Sequence, residues 1–136
     1  MNMSRLFAAT LAATVTLAMV PNGVHAEGDA AAGEKVFARC KSCHTAERGG
    51  PHRVGPNLFG VVDRTCGGTD FPRYSAGMKA CTEKKVTWDA TQLSSYIVDA
   101  SKFLETLTGK KGQGMTPQKL NDQQLADIIA YLSSLK

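Results

Sequence analysis

The chain has 136 residues, 43% hydrophobic and 21% charged, with 16 Lys+Arg against 12 Asp+Glu for a net charge of +4. That length limits it to a single modest core, which buries about two-thirds of the surface its unfolded chain exposes. The positive excess is too small and too scattered for a nucleic-acid footprint. It suits weak contact with an acidic protein face.

The first 26 residues read as an export leader. Arg5 supplies a short positive start, Leu6 to Val20 is apolar and uncharged, and Pro21-Asn22-Gly23 breaks the run. Val24-His25-Ala26 is a small-x-small cleavage pattern, and the apolar stretch is too short to span a bilayer. The expectation is a cleavable secretory signal peptide over 1–26, then one domain over 27–136 in the bacterial periplasm. Without Arg5, 15 basic residues face 12 acidic ones, leaving +3. No second apolar segment is long enough to span a membrane, and the chain is expected to be a monomer.

The domain opens with helical period. Gly33, Val36, Phe37 and Cys40 recur at i, i+3, i+4 and i+7, after Asp29 as N-cap and a run of alanines. This helix leads into Cys40-Lys41-Ser42-Cys43-His44. C-x-x-C-H is the attachment signature of c-type haem: two thiols add to the vinyl groups and the histidine lies under the iron. The competing readings are a thioredoxin-like thiol pair and half of a zinc site. An exported chain favours haem, because c-type haem is attached outside the cytoplasm.

The middle of the chain is rich in turn signals, at Gly49-Gly50-Pro51, Gly55-Pro56-Asn57 and Gly67-Gly68. A second helix is predicted from Leu93, Tyr96, Ile97 and Ala100, with Thr87 as cap and Asp89 in the first turn. A third follows from Leu125, Ile128, Ile129 and Leu132, opened by a capping box from Asn121 to Gln124. No stretch alternates persistently enough to demand a sheet. The fold class is all-α, with three main helices, short helical turns and long loops wrapped around one planar cofactor.

A haem iron has a sixth position, and its occupant separates electron transfer from ligand binding. Met78, Met115 and His52 are the candidates. Met115 follows Gly112-Gln113-Gly114, just ahead of the last helix, where glycines let the backbone approach a ring closely. Met78 lies between Cys66 and Cys81, and methionine also serves as core filler.

Taken in order, these segments resemble the class I c-type cytochromes, over nearly all of Gly28 to Leu135. The matching pieces are Gly28 to Phe37, Cys40 to His44, Gly49 to His52, Val54 to Leu58, Thr87-Trp88 with the helix to Ala100, and Ala126 to Leu132. The resemblance implies one haem c attached through Cys40 and Cys43, with His44 and Met115 as axial ligands. It implies that the Pro56 carbonyl accepts from the His44 ring, that Trp88 and more weakly Tyr74 sit by the haem propionates, and that His52 bonds backbone. It also implies that Gly33 and Phe37 cross the last helix near Tyr131.

Three features depart from the family pattern. Ala100-Ser101-Lys102 stands where a proline commonly ends the middle helix, and the apolar period runs on through Phe103, Leu104 and Leu107. Pro117 follows Met115, where a proline often precedes the ligand. Cys66 and Cys81 remain after haem attachment, and an even remainder in an oxidising compartment suggests a disulfide between them.

The function implied is one-electron transfer without substrate turnover. Arg39, Lys41, Lys102, Lys110, Lys111 and Lys119 flank the motifs and would steer the chain to acidic docking faces. Expected partners are a cytochrome bc complex, a terminal oxidase, a photosynthetic reaction centre or a dehydrogenase. The alternatives are a haem c enzyme or gas-binding sensor with a displaceable sixth ligand, and a thiol oxidoreductase using Cys40 and Cys43.

Overall fold

In the computed structural model, residues 27–112 and 115–136 are described. The expected leader over 1–26, and the Gln113-Gly114 step ahead of Met115, lie outside the described residues. Among the described residues there are five helices: α1 (Ala30–Phe37), α2 (Ala76–Glu83), α3 (Ala90–Val98), α4 (Ala100–Thr108) and α5 (Asp122–Ser134). The only pairing of extended backbone among the described residues is one isolated bridge, Thr65 to Thr87. None of the described helices is long and apolar enough to cross a membrane.

The scaffold is the crossing of α1 on α5. Asp29 caps α1, its carboxylate accepting from Ala31 and Ala32 N–H at 2.7 and 3.1 Å. Asn121 and Gln124 close a full capping box on α5. The helices touch through glycine: a Cβ at Gly33 would lie 1.9 Å from the Asp127 carbonyl oxygen, and one at Gly28 would lie 2.1 Å from that of Ala126. Beside this contact the Phe37 and Tyr131 rings lie 5.2 Å apart. Asp127 is buried, and its carboxylate is satisfied by the Asp29 N–H and the Gln123 amide at 2.9 and 2.8 Å. The two ends of the domain are thereby locked together, and α1 delivers Cys40 directly, whose N–H donates to Phe37 O at 2.8 Å.

The expected middle helix differs in two ways. Asp89, not Thr87, is the cap of α3, accepting from Gln92 N–H at 2.7 Å, while Thr87 is held in the bridge to Thr65. The long apolar period after Leu93 is not one helix. It breaks at Asp99, whose backbone (φ −153°, ψ 90°) ends α3 and whose carboxylate caps α4 at Lys102 N–H, 2.9 Å away. The aspartate turns the chain by offering the backbone a competing side-chain acceptor.

Helix α2 was not among the predicted helices. Five of its eight residues are good helix formers, but a helix this short is marginal by itself and Gly77 weakens it further. It forms because Ser75 caps Met78 N–H at 3.2 Å and because Gly77, Met78, Ala80 and Cys81 are all buried. Cys81 and Cys66 adjoin there, fully buried, with Cα atoms 5.9 Å apart. Thr82 reinforces the corner by donating to Cys66 O at 2.8 Å, and Cys66 N–H donates to Val86 O at 2.8 Å.

Candidate haem site

The C-x-x-C-H segment continues the α1 turn. Cys43 and His44 N–H groups both donate to Cys40 O, at 3.0 and 2.9 Å. Helical spacing of i, i+3 and i+4 puts both sulfurs and the imidazole on one side of the turn. Both thiols are unpaired and half-buried. Burial pushes the Cys40 thiol pKa up, with Arg39 partly opposing. A catalytic thiol needs the opposite shift, so the setting of Cys40 counts against the thiol-oxidoreductase reading. No cluster of three metal-ligating side chains occurs among the described residues, which leaves a zinc half-site without partners.

His44 is the most constrained side chain of the site. Its Nδ1 lies 2.7 Å from the Pro56 carbonyl oxygen. A carbonyl only accepts, so Nδ1 carries the proton and Nε2 keeps its lone pair. The Gly55 backbone lies against the ring: a Cβ there would be 2.3 Å from Cε1 and 2.8 Å from each ring nitrogen. Gly55 is in turn fixed by its N–H bond to Cys43 O at 2.8 Å. Burial pushes the His44 pKa down, with the Pro56 carbonyl opposing, so the ring is held neutral. A neutral imidazole with a fixed tautomer and a free Nε2 is the donor a haem iron takes. The adjoining thiols complete a donor set that fits covalent haem.

His52 is placed otherwise. Its Nδ1 accepts from Asn57 N–H at 2.9 Å, and its Nε2 donates to Asp70 at 2.7 Å. That bond holds the Asp70 carboxyl below its usual range. With both nitrogens engaged, His52 ties the Pro56 loop together and has no lone pair for a metal. Asn57 does similar work from inside, donating to Thr45 Oγ1 and Glu47 O at 2.8 and 3.0 Å.

Met78 is buried inside α2, in the cluster with Cys66 and Cys81. Met115 lies on a non-helical segment and packs against the core only in part. Trp88 is buried between Tyr96 and Phe103, with ring centroids 5.0 and 5.8 Å away. Tyr74 packs edge-on to Phe71 at 5.1 Å and shares a 2.6 Å hydroxyl bond with Thr69.

The structure adds Arg64, which sequence reasoning passed over as part of a turn-rich run. Its carbonyl accepts from Trp88 N–H at 2.9 Å, and its guanidinium donates to Phe59 O and Asn57 O at 3.1 and 3.2 Å. Burial pushes its pKa down and the nearby Tyr74 opposes this. Trp88, Tyr74 and a half-buried cation are thus connected in one corner. A lone arginine between Asp63 and Thr65 carries no pattern, and only its burial marks it.

An all-α fold with a paired-thiol turn and a carbonyl-locked imidazole defines a covalent haem protein. Comparison with known proteins narrows this. The cytochrome c family matches over residues 30–136. A cytochrome c2 of Rhodospirillum rubrum is 42% identical over 113 residues, covering 82% of this chain and 84% of that relative. Cytochrome c-550 of Novispirillum itersonii is 41% identical, covering 80% of this chain and all of its own. The crystal structure of cytochrome c2 from Rhodobacter sphaeroides superposes with a TM-score of 0.72 at 38% identity, covering 80% of this chain and 97% of that one. The chain belongs to the cytochrome c family. It is an electron-transfer protein, not an enzyme, with one covalently bound haem c per chain. The enzyme and gas-sensor alternative is not favoured by these relatives.

Proposed function

We propose that Cys40 and Cys43 attach the haem through thioether bonds, that His44 and Met115 are its axial ligands, and that the chain carries single electrons in the bacterial periplasm after losing residues 1–26. The observation that carries the assignment is the 2.7 Å bond from His44 Nδ1 to Pro56 O, which leaves Nε2 as the free donor. When bound, the haem supplies an iron that passes between ferrous and ferric states.

The chain's own residues do the rest. Pro56 and Gly55 hold the imidazole in one orientation, so its ligation does not change with oxidation state. Met115 supplies a soft sulfur donor that raises the potential. Buried Phe37, Leu93, Ile97, Leu104, Ile128 and Leu132 exclude water. Trp88, Tyr74 and Arg64 are assigned to the haem propionates, Trp88 and Arg64 as donors. Cys66 and Cys81 form a disulfide, supported by a Cα separation within the usual range for such bonds.

Arg39, Lys41, Lys102, Lys110, Lys111 and Lys119 are all exposed. They steer a monomer to acidic faces on a cytochrome bc complex, oxidase, reaction centre or dehydrogenase, in small and salt-sensitive contacts. The ferric holoprotein should show the weak red methionine-to-iron charge-transfer band. Met115→Ala should abolish it while the haem stays covalently bound. A band that survives Met115→Ala would sink the ligand assignment.

A further inference from the structure

The segment carrying Met115 is held from two sides by features outside the haem motif. On one side lies the helix break at Asp99. In an unbroken helix the Ile97 carbonyl would accept from the N–H four residues on. The break frees it, and it accepts instead from Gln118 N–H at 3.1 Å, three residues beyond Met115.

On the other side the backbone at 110–112 is pressed between α2 and α4. A Cβ at Gly77 of α2 would lie 2.7 Å from Lys110 O, 3.0 Å from Lys111 O and 3.1 Å from Gly112 N. Opposite, a Cβ at Gly112 would lie 2.4 Å from Leu104 Cδ1 and 3.4 Å from Ala100 O. The three atoms nearest a side chain at Gly77 are all backbone, which no rotamer change can move aside. Helix α2 cannot back away either, because Cys81 adjoins Cys66 and Thr82 bonds the Cys66 carbonyl.

We propose that Gly77 and Asp99 are positioning residues for the sixth ligand: α2 sets the depth of the chain entering the Met115 segment, and the α3–α4 break anchors the chain leaving it. This rests on Met115 being the ligand. The ligand is then held by placement of the chain on either side of it. A side chain at Gly77, or loss of the cap at Asp99, shifts one anchor while the α1–α5 scaffold stays intact.

The test uses the ferric holoprotein and imidazole as competing ligand. Gly77→Ala should raise imidazole affinity by about tenfold, equal to about 1.4 kcal/mol of weakened methionine ligation. The charge-transfer band should fade at a lower pH than in the parent. Asp99→Ala should act in the same direction, and Asp99→Asn, which keeps a capping oxygen, should restore parental affinity. Should Gly77→Ala fail to fold, the Asp99 pair carries the test alone.

Gly33→Ala, which disturbs the remote α1–α5 crossing, is the control for general loss of stability. Parental imidazole affinity in Gly77→Ala or Asp99→Ala overturns the proposal. So does an equal rise in Gly33→Ala at matched stability. Failure of the ligand assignment reads differently: the band then persists in Met115→Ala itself.

Discussion

Gly33→Ala is expected to destabilise the holoprotein by about 2 kcal/mol, against the intrinsic preference of its helix. In isolation alanine favours a helix interior over glycine by about 1 kcal/mol. At this crossing the new Cβ would lie 1.9 Å from Asp127 O, 2.6 Å from Asp127 C and 2.8 Å from Tyr131 Cβ. Two of these atoms are backbone of α5, so the helices themselves must part. Moving the closest contact to ordinary van der Waals distance needs a separation of about 1.5 Å, and such overpacking costs about 3 kcal/mol. The same shift loosens Phe37 from Tyr131 and stretches the Asp29 N–H bond to Asp127. A net loss of about 2 kcal/mol corresponds to a melting point lower by about 8 °C in a domain of this size. Guanidinium and thermal unfolding, followed by far-UV dichroism and Soret absorption, would measure it. An unchanged or raised midpoint would refute the reasoning, since helix propensity would then have outweighed the contact.

The Cys66→Ala/Cys81→Ala double variant should lose about 3 kcal/mol in the chain-entropy description, because the bond spans 15 residues; an unchanged guanidinium midpoint would count against the bond. Burial raises the Tyr96 pKa from 10.0 to about 12, so the folded state holds that proton more tightly than the unfolded chain. Its contribution to stability is complete below pH 10.0 and is lost as pH rises to about 12. Tyr96→Phe should flatten this alkaline decline, and an identical decline in parent and variant would remove Tyr96 as its cause. Lys111→Glu should slow reduction by an acidic partner more at low than at high ionic strength, since exposed charges are screened; equal slowing at all salts would argue against electrostatic steering.

What was legible in the sequence was local. Asp29, Asn121 and Gln124 announce helix starts because capping needs only a side-chain oxygen at a fixed offset. Cys40, Cys43 and His44 announce their chemistry because one turn of helix fixes their relation. Helix α2 was hidden, since eight residues are too few to form a helix alone and it depends on burial against distant segments and on the Cys66 tether. Asp99 was hidden for a related reason: the apolar period from Leu93 to Leu107 continues through it, and periodicity does not register a change of direction. Arg64 carries no motif, and only its contacts with Asn57, Phe59 and Trp88 give it a place.

The sequence by itself determined the donor chemistry: two thiols, an imidazole and a choice of thioethers. Tertiary structure decided how those donors are presented. His44 presents Nε2 as its free nitrogen because the carbonyl of Pro56, twelve residues on, accepts a hydrogen bond from Nδ1–H. The Met115 segment is held because Gly77 and Ile97, on two other helices, contact the chain on either side of it. Both effects are contacts across long sequence separations. Each carries a loop-closure cost in chain entropy that the burial around it must offset.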